Sequence, residues 1–186
     1  MTPGSYAPTS FDAASSACDW LGYTDVPATA MYWARSLRGL RLRFLDTEAD
    51  TPEGRETYAL YAPFVIALVG FAKGEGIGCL VPDTEDRWWD LVEHHGLYLE
   101  NQEAEPARGV EIAPRLLAWS NEVALTGWLD FDDQPYCVVL WKLRLWQNDI
   151  VVIDEAQDTS AIRRAIARLA LKPGGRLYAV GDDKQA

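Results

Sequence analysis

The order of apolar and polar positions divides the chain into a long helical stretch and a short terminal region of different character. Patterns favouring helix run from Ala28 to Phe44 and from about Glu56 to Lys73, separated by a polar, turn-rich segment from Asp46 to Gly54. Another helix starts after Pro82-Asp83-Thr84. Asp83 or Thr84 can serve as its N-cap, and Glu85 and Asp86 suit the positive end of the helix dipole. Its body carries Trp88, Trp89, Leu91 and Val92, which an amphipathic helix turns toward a core; this use of a tryptophan pair outweighs stacking on bases. A further helix covers about Ala107 to Leu125 and ends at Thr126-Gly127. The first twenty residues, rich in Ser, Ala, Pro and Thr, read as a loose lead-in, and the acidic stretch Glu100 to Glu105 as a solvated connector.

After Gly127 the pattern changes. Trp128 to Asp133 leads into an apolar segment, Tyr136 to Trp146, read as helix. Ile150-Val151-Val152-Ile153 is a continuous β-branched run, as in a strand buried on both faces of a parallel sheet. Thr159-Ser160 supplies N-cap chemistry, and Ile162, Ala165, Ile166 and Leu169 then recur at i, i+3, i+4 and i+7 along one helix face. Lys172 complements the helix C-terminus and Pro173-Gly174-Gly175 stops it. Arg176 to Val180 predicts a second strand, followed at once by Gly181-Asp182-Asp183-Lys184-Gln185. A strand, crossover helix and strand in one sheet run parallel with a right-handed connection. Both acidic loops should therefore leave the sheet at the same carboxyl edge, where open α/β sheets bind ligands.

Composition narrows the possibilities. With 48% apolar residues over 186 positions, the chain can bury a core and is no disordered tail. Cys18, Cys79 and Cys137 stand far apart, which argues against a disulfide framework or a zinc site and favours a reducing cytoplasm. His94 and His95 lack partners at ligand spacing and read as surface or boundary residues rather than metal ligands. Met1-Thr2-Pro3-Gly4-Ser5 has no basic region followed by an apolar core, so no signal peptide is expected. The apolar stretch from Tyr58 to Ala72 falls short of the ~20 residues a bilayer requires and contains Pro63, so a buried helix and a soluble protein are expected.

Charge bears on nucleic acid. The net charge is −11, whereas DNA affinity rests on cations that neutralise phosphates and release counterions. Cations cluster at Arg35, Arg38, Arg41 and Arg43, and again at Arg163, Arg164, Arg168 and Lys172, but both clusters read as solvated helix faces. Weak DNA binding by the chain alone is the expectation. Gly74, Gly76 and Gly78 alternate in a way that invites a phosphate-loop reading. No β-run precedes them and no Lys-Ser/Thr follows, so a turn is favoured.

The two acidic loops carry the chemistry. Asp154, Glu155 and Asp182 should lie close together, and burying several carboxylates side by side is costly unless a cation balances them. Magnesium with a nucleotide phosphate is the natural balancing charge. In that setting an Asp at the strand end can hold Mg²⁺, directly or through a water. The neighbouring Glu can orient and deprotonate the water that attacks a γ-phosphate, and a Gln on the adjacent strand can sense that phosphate. A competing reading takes Asp154, Glu155, Asp158, Asp182 and Asp183 as a two-metal nuclease or phosphatase site; it leaves Gln157 and Gln185 unexplained.

These residues resemble a known family. Val151 to Thr159, with Asp154-Glu155-Ala156-Gln157-Asp158 at its centre, looks like motif II, the Walker B box, of UvrD/Rep-type superfamily 1 DNA helicases. Val180 to Gln185 looks like their motif III, and Leu129-Asp130-Phe131-Asp132-Asp133 resembles the Asp-Phe-x-Asp segment that precedes motif II. The overall style also resembles helicases encoded by bacteriophages. The resemblance implies ATP-driven translocation on single-stranded DNA, usually 3′ to 5′. It makes Asp154 the metal residue and Glu155 the catalytic base. Gln157 becomes a link from the nucleotide site to its surroundings, Asp182 part of the same coupling loop, and Gln185 a catalytic and nucleotide-binding contact to the γ-phosphate.

The departures from that family are equally specific. Its Walker A loop, Gly-x-x-x-x-Gly-Lys-Ser/Thr, has no counterpart, since the sequence contains no Gly-Lys dipeptide. Gln134 stands where an apolar residue usually follows the second acid, and Arg163 where Gln is common. The chain stops at Ala186, within the motif III segment, so it reads as a segment from the middle of a helicase. The expected architecture is α/β. Residues 128–186 form a partial P-loop NTPase (RecA-like) core with a parallel sheet, and residues 1–127 form a mainly helical region resembling an accessory subdomain. ATP and Mg²⁺ are the implied cofactors, with single-stranded DNA and a complementing helicase segment as partners in a complete motor. The isolated chain is expected to be inactive. The alternative is a non-enzymatic, partner-binding remnant of a helicase scaffold, using apolar surface exposed on the sheet.

Overall fold

Helix α1 (Pro52–Glu75) opens on a proline, where the missing N–H has no helical partner to lose. The computed structural model describes residues 52–99, 101, 104–127 and 129–182. The lead-in, the helix expected over 28–44 with its arginines, and Cys18 lie outside the described residues. The described chain falls into two units: residues 52–70 with 84–130, and residues 71–83 with 131–182.

The first unit is helical. Pro63 lies inside α1 on an exposed face, while Tyr61, Ala62, Phe64, Val65, Leu68 and Val69 are buried. An internal proline typically costs a helix about 3 kcal/mol, so burial of this apolar face is what carries the helix through it. Helix α2 (Glu85–His94) begins at Thr84, whose extended backbone is that of an N-cap. Its side chain makes no capping hydrogen bond; Thr84 acts through its carbonyl, which accepts from Arg87 N at 3.0 Å. Trp88, Leu91 and Val92 are buried on this helix as its pattern predicts, whereas Trp89 is only half-buried. Helix α3 (Pro106–Ala124) presents Gly109 to Phe64, where an added Cβ would stand 2.6 Å from the ring carbons Cδ1 and Cε1. Glycine is what permits that approach.

The second unit is mixed. Helix α4 (Asp133–Leu140) is followed by strand β1 (Asn148–Ile153), a single 3-10 turn (Ala156–Asp158), helix α5 (Ala161–Leu169) and strand β2 (Leu171–Ala179). The helix expected over 136–146 is thus shorter and begins earlier. It ends because Lys142 takes a left-handed conformation (φ 53°), so that Leu143 N bonds to Val138 O at 2.9 Å and Lys142 N to Val139 O at 3.1 Å. This is a helix stop of the kind glycine usually makes.

Strands β1 and β2 pair in parallel, with Ile150 opposite Arg176 and Ile153 opposite Ala179. The β-α-β reading therefore holds as a small two-stranded parallel sheet in a mixed helix and strand fold. Two details differ from expectation. Pro173-Gly174-Gly175 does not stop the helix, which ends at Leu169; these residues enter β2 across an irregular register between Asn148 and Ile150. Lys172 consequently pairs with Asp149 (Nζ to Oδ2, 2.9 Å) instead of meeting the helix end. Nor is β1 buried on both faces: Val151 and Ile153 are half-buried, while Ile150 and Val152 are 59% and 62% exposed. The period-2 alternation of a strand is intact, but only one face has a cover among the described residues.

Segment 71–83 is fastened within this unit by polar contacts. Lys73 Nζ lies 2.7 Å from Asp133 Oδ1, and the two side chains are only 2% and 4% exposed. The Tyr136 hydroxyl donates to Ile77 O at 2.6 Å, both residues being buried. Ala72, Cys137, Val139 and Ile162 complete the buried set around them. Among the described residues no helix is long and apolar enough to cross a membrane.

Candidate functional site

A β-branched strand that stops at an acid needs a sharp turn to avoid running on, and Glu155 makes it. Its backbone lies in the left-handed region at φ 48° and ψ 52°. For a residue with a Cβ that conformation costs on the order of 1–2 kcal/mol, so neighbouring bonds must hold it. Glu155 N donates to Asp154 Oδ1 at 3.1 Å, and Glu155 O accepts from Asp158 N at 3.0 Å. The turn then hands over to α5 through Ser160, whose Oγ accepts from Arg163 N at 3.5 Å.

The parallel ladder continues past both strand ends. Val180 N bonds to Ile153 O at 2.8 Å and Ala156 N to Val180 O at 2.9 Å. These bonds draw the loop after β2 against the turn after β1, at the carboxyl edge of the sheet. Gln157 completes the junction: its Nε2 donates to Glu155 Oε2 at 2.7 Å, and its Oε1 accepts from Asp182 N at 3.1 Å. Gly181 suits that closeness: an added Cβ would push the Gln157 amide aside and stand 3.1 Å from Ala156 N.

Four of the candidate residues, Asp154, Glu155, Gln157 and Asp182, therefore meet at one sheet edge, while Gln185 lies outside the described residues. They do not meet as a carboxylate cluster. Among the described residues no group of three or more His, Cys, Asp and Glu is placed to hold a metal ion. The expected crowding of Asp154, Glu155 and Asp182 is relieved because Gln157 takes up the Glu155 carboxylate and Asp182 meets it through its backbone N–H. A two-metal site loses its support among those residues for the same reason. Asp154, at the strand end, is the carboxylate there that could contribute to a cation, since magnesium is commonly bound by one or two carboxylates together with phosphate oxygens and water.

The glycine turn offers no phosphate cradle. Gly76 N and Ile77 N both bond to Ala72 O at 2.9 Å, closing α1 with Gly76 at φ +78°. Gly78 N donates to Val81 O, and the amides of Cys79, Leu80 and Val81 all donate to Gly76 O. The amides that would face an anion are spent inside the turn. Burial pushes the Cys79 thiol up from its ordinary value, and the Leu80 backbone hydrogen bond offsets this only in part.

The buried Lys73–Asp133 pair was not legible beforehand. Asp133 stood out only as the second acid of the Asp-Phe-x-Asp segment, and Lys73 as the last residue of a helix. The only available signal was that two charged residues flank otherwise apolar stretches.

A mixed α/β unit whose acids sit at the carboxyl edge of a parallel strand pair is of the kind that binds ligands at that edge. Comparison with known proteins narrows this. The family model for the UvrD/REP helicase N-terminal domain matches residues 138–186. The match supports a UvrD-type helicase segment and a helicase-related role for this part of the chain; it begins beyond Asp130–Asp133. No curated protein and no solved structure matched the chain.

Proposed function

We propose that the chain is part of an ATP-dependent DNA helicase of the UvrD/Rep type, possessing the magnesium-binding and water-activating residues of its first motor domain, a partial RecA-like P-loop core. The observation that carries this reading is the joined sheet edge, where Glu155, Gln157 and Asp182 form one network inside the segment that matches the helicase family. In this reading Asp154 holds Mg²⁺ with the phosphates of ATP, and Glu155 orients and deprotonates the attacking water. Gln157 and Asp182 line the nucleotide site, and Gln185 contacts the γ-phosphate. Magnesium supplies charge neutralisation on the phosphates when bound. Coupling to translocation on single-stranded DNA and a cytoplasmic setting belong to the same reading.

The chain alone is proposed to be inactive, because no Gly-Lys occurs in the sequence and the amides of the glycine turn are internally bonded. ATPase assays on the purified chain, with and without single-stranded DNA, should return only background. Robust DNA-stimulated hydrolysis that Glu155→Gln abolishes would overturn the inactivity while supporting the site.

One observation favours a second reading, a non-enzymatic module that docks a partner. Ile150, Val152, Tyr178 and Val180 are exposed on and beside the strand pair, and such strands invite pairing. A partner that co-purifies and bears a Walker A loop would favour a split motor, and one without it the module.

A further inference from the structure

Gln157 bridges two segments separated by 25 positions in the chain, and it does so with both ends of one side chain. Nε2 donates a hydrogen bond to the Glu155 carboxylate and Oε1 accepts one from the Asp182 backbone N–H. The carboxamide supplies a donor and an acceptor together; a carboxylate lacks the donor and a lysine lacks the acceptor. The contact is also close-fitting. A Cβ at Gly181 would displace the Gln157 amide, so the bare backbone lets the loop after β2 lie against it. Meanwhile Glu155 stands on a backbone conformation that an L-residue rarely adopts.

We infer that Gln157 is a positioning residue for Glu155, a clamp through which the loop after β2 sets the orientation of that carboxylate. A shift of Gly181-Asp182 pulls on Oε1, turns the amide and thereby moves Nε2 away from Glu155. Whatever displaces the loop thus re-aims the acid without touching it. The inference rests on the proposed role of Glu155 for its functional meaning, but the clamp itself exists without nucleotide and is testable without it.

Amide hydrogen exchange, followed by NMR on the full chain, reads the clamp directly. Gln157→Ala should speed exchange of the Asp182 N–H by about fivefold, the factor expected for losing one ordinary hydrogen bond. Val180 N–H, bonded to Ile153 O, serves as the internal control and should keep its rate. Gln157→Glu at neutral pH should also release Asp182, because two facing carboxylates repel and swing apart. Exchanging the pair, Glu155→Gln with Gln157→Glu, should restore slow exchange, since the amide at position 155 donates and the carboxylate at 157 accepts from Asp182. A purely space-filling role for Gln157 would not produce that rescue. An unchanged Asp182 rate in Gln157→Ala, or a fast rate in the exchanged pair, overturns the clamp. If Gln157→Ala also frees Val180, the exchanged pair decides alone, by whether Asp182 slows again with Val180 held. The other claim is read in a motor completed with a Walker A-bearing helicase segment: ATP hydrolysis that Glu155→Gln leaves unchanged would count against the role of Glu155 while leaving the clamp standing.

Discussion

The two units bury their interiors by different means. In the unit of residues 52–70 and 84–130 the fully buried residues among those described are apolar or glycine, with Asn121 Oδ1 the one buried side-chain oxygen there that has no hydrogen-bond partner, and the bare backbone of Gly109 packs against Phe64. In the unit of 71–83 and 131–182 the interior includes a lysine, an aspartate and a tyrosine hydroxyl bonded to a carbonyl, while strand residues such as Ile150 and Val152 remain outside. Apolar packing is non-directional and tolerates exchange of one hydrophobic shape for a similar one. A buried ion pair is different: it specifies which two points meet, and it becomes strongly unfavourable when either partner is removed. The second unit thus uses directional contacts to fasten a distant turn to α4, in the same unit that holds the acidic sheet edge.

That contrast is open to direct attack. The largest effect is expected from Asp133→Ala, which leaves the Lys73 ammonium buried without its carboxylate. Unfolding free energy should fall by about 3–5 kcal/mol in urea titrations. Hydrogen exchange should show the loss in segments 71–83 and 131–182, with 106–124 retaining protection; equal loss in both units would mean that the ion pair does not set them apart.

Gly109→Ala tests the apolar unit, and its sign is informative. Helix propensity alone would stabilise α3 by about 1 kcal/mol. The clash with Phe64 should outweigh this and leave a net loss of about 1–2 kcal/mol, confined to 52–70 and 106–124. A raised urea midpoint would mean that the Phe64 ring yields freely. Tyr136→Phe removes only the hydroxyl that meets Ile77 O and should cost about 1 kcal/mol, read as faster exchange around 76–81. The smallest change is a gain: Lys142→Gly relieves a left-handed conformation and should stabilise by about 0.5–1 kcal/mol. No gain there would indicate that the lysine side chain contributes contacts of its own.

Several elements were legible from residues a few positions apart. The apolar spacing of α1, α2 and α3, the Thr84 start and the strand, helix and strand order around Asp154 follow from periods and caps that act locally. Even the meeting of the two acidic loops followed, because a parallel crossover must bring both strand ends to one edge. The end of α4 was missed because Lys142, rather than a glycine, takes the left-handed position, and no local pattern announces that. The Pro173-Gly174-Gly175 stop was misplaced because those residues also suit an irregular entry into β2.

The amino-acid sequence by itself thus determined the helices, the parallel strand pair and the presence of Asp154 and Glu155 at its carboxyl end. Only the tertiary structure decided that Gln157 stands between Glu155 and Asp182, that the glycine turn spends its amides on itself, and that Lys73 meets Asp133. The reason is one of range. Backbone propensity and side-chain period work over one or two turns, whereas Tyr136 and Ile77 are 59 positions apart. Which buried donor finds which acceptor over such a distance depends on the surfaces that meet when the elements pack, and on the penalty for leaving either group unpaired.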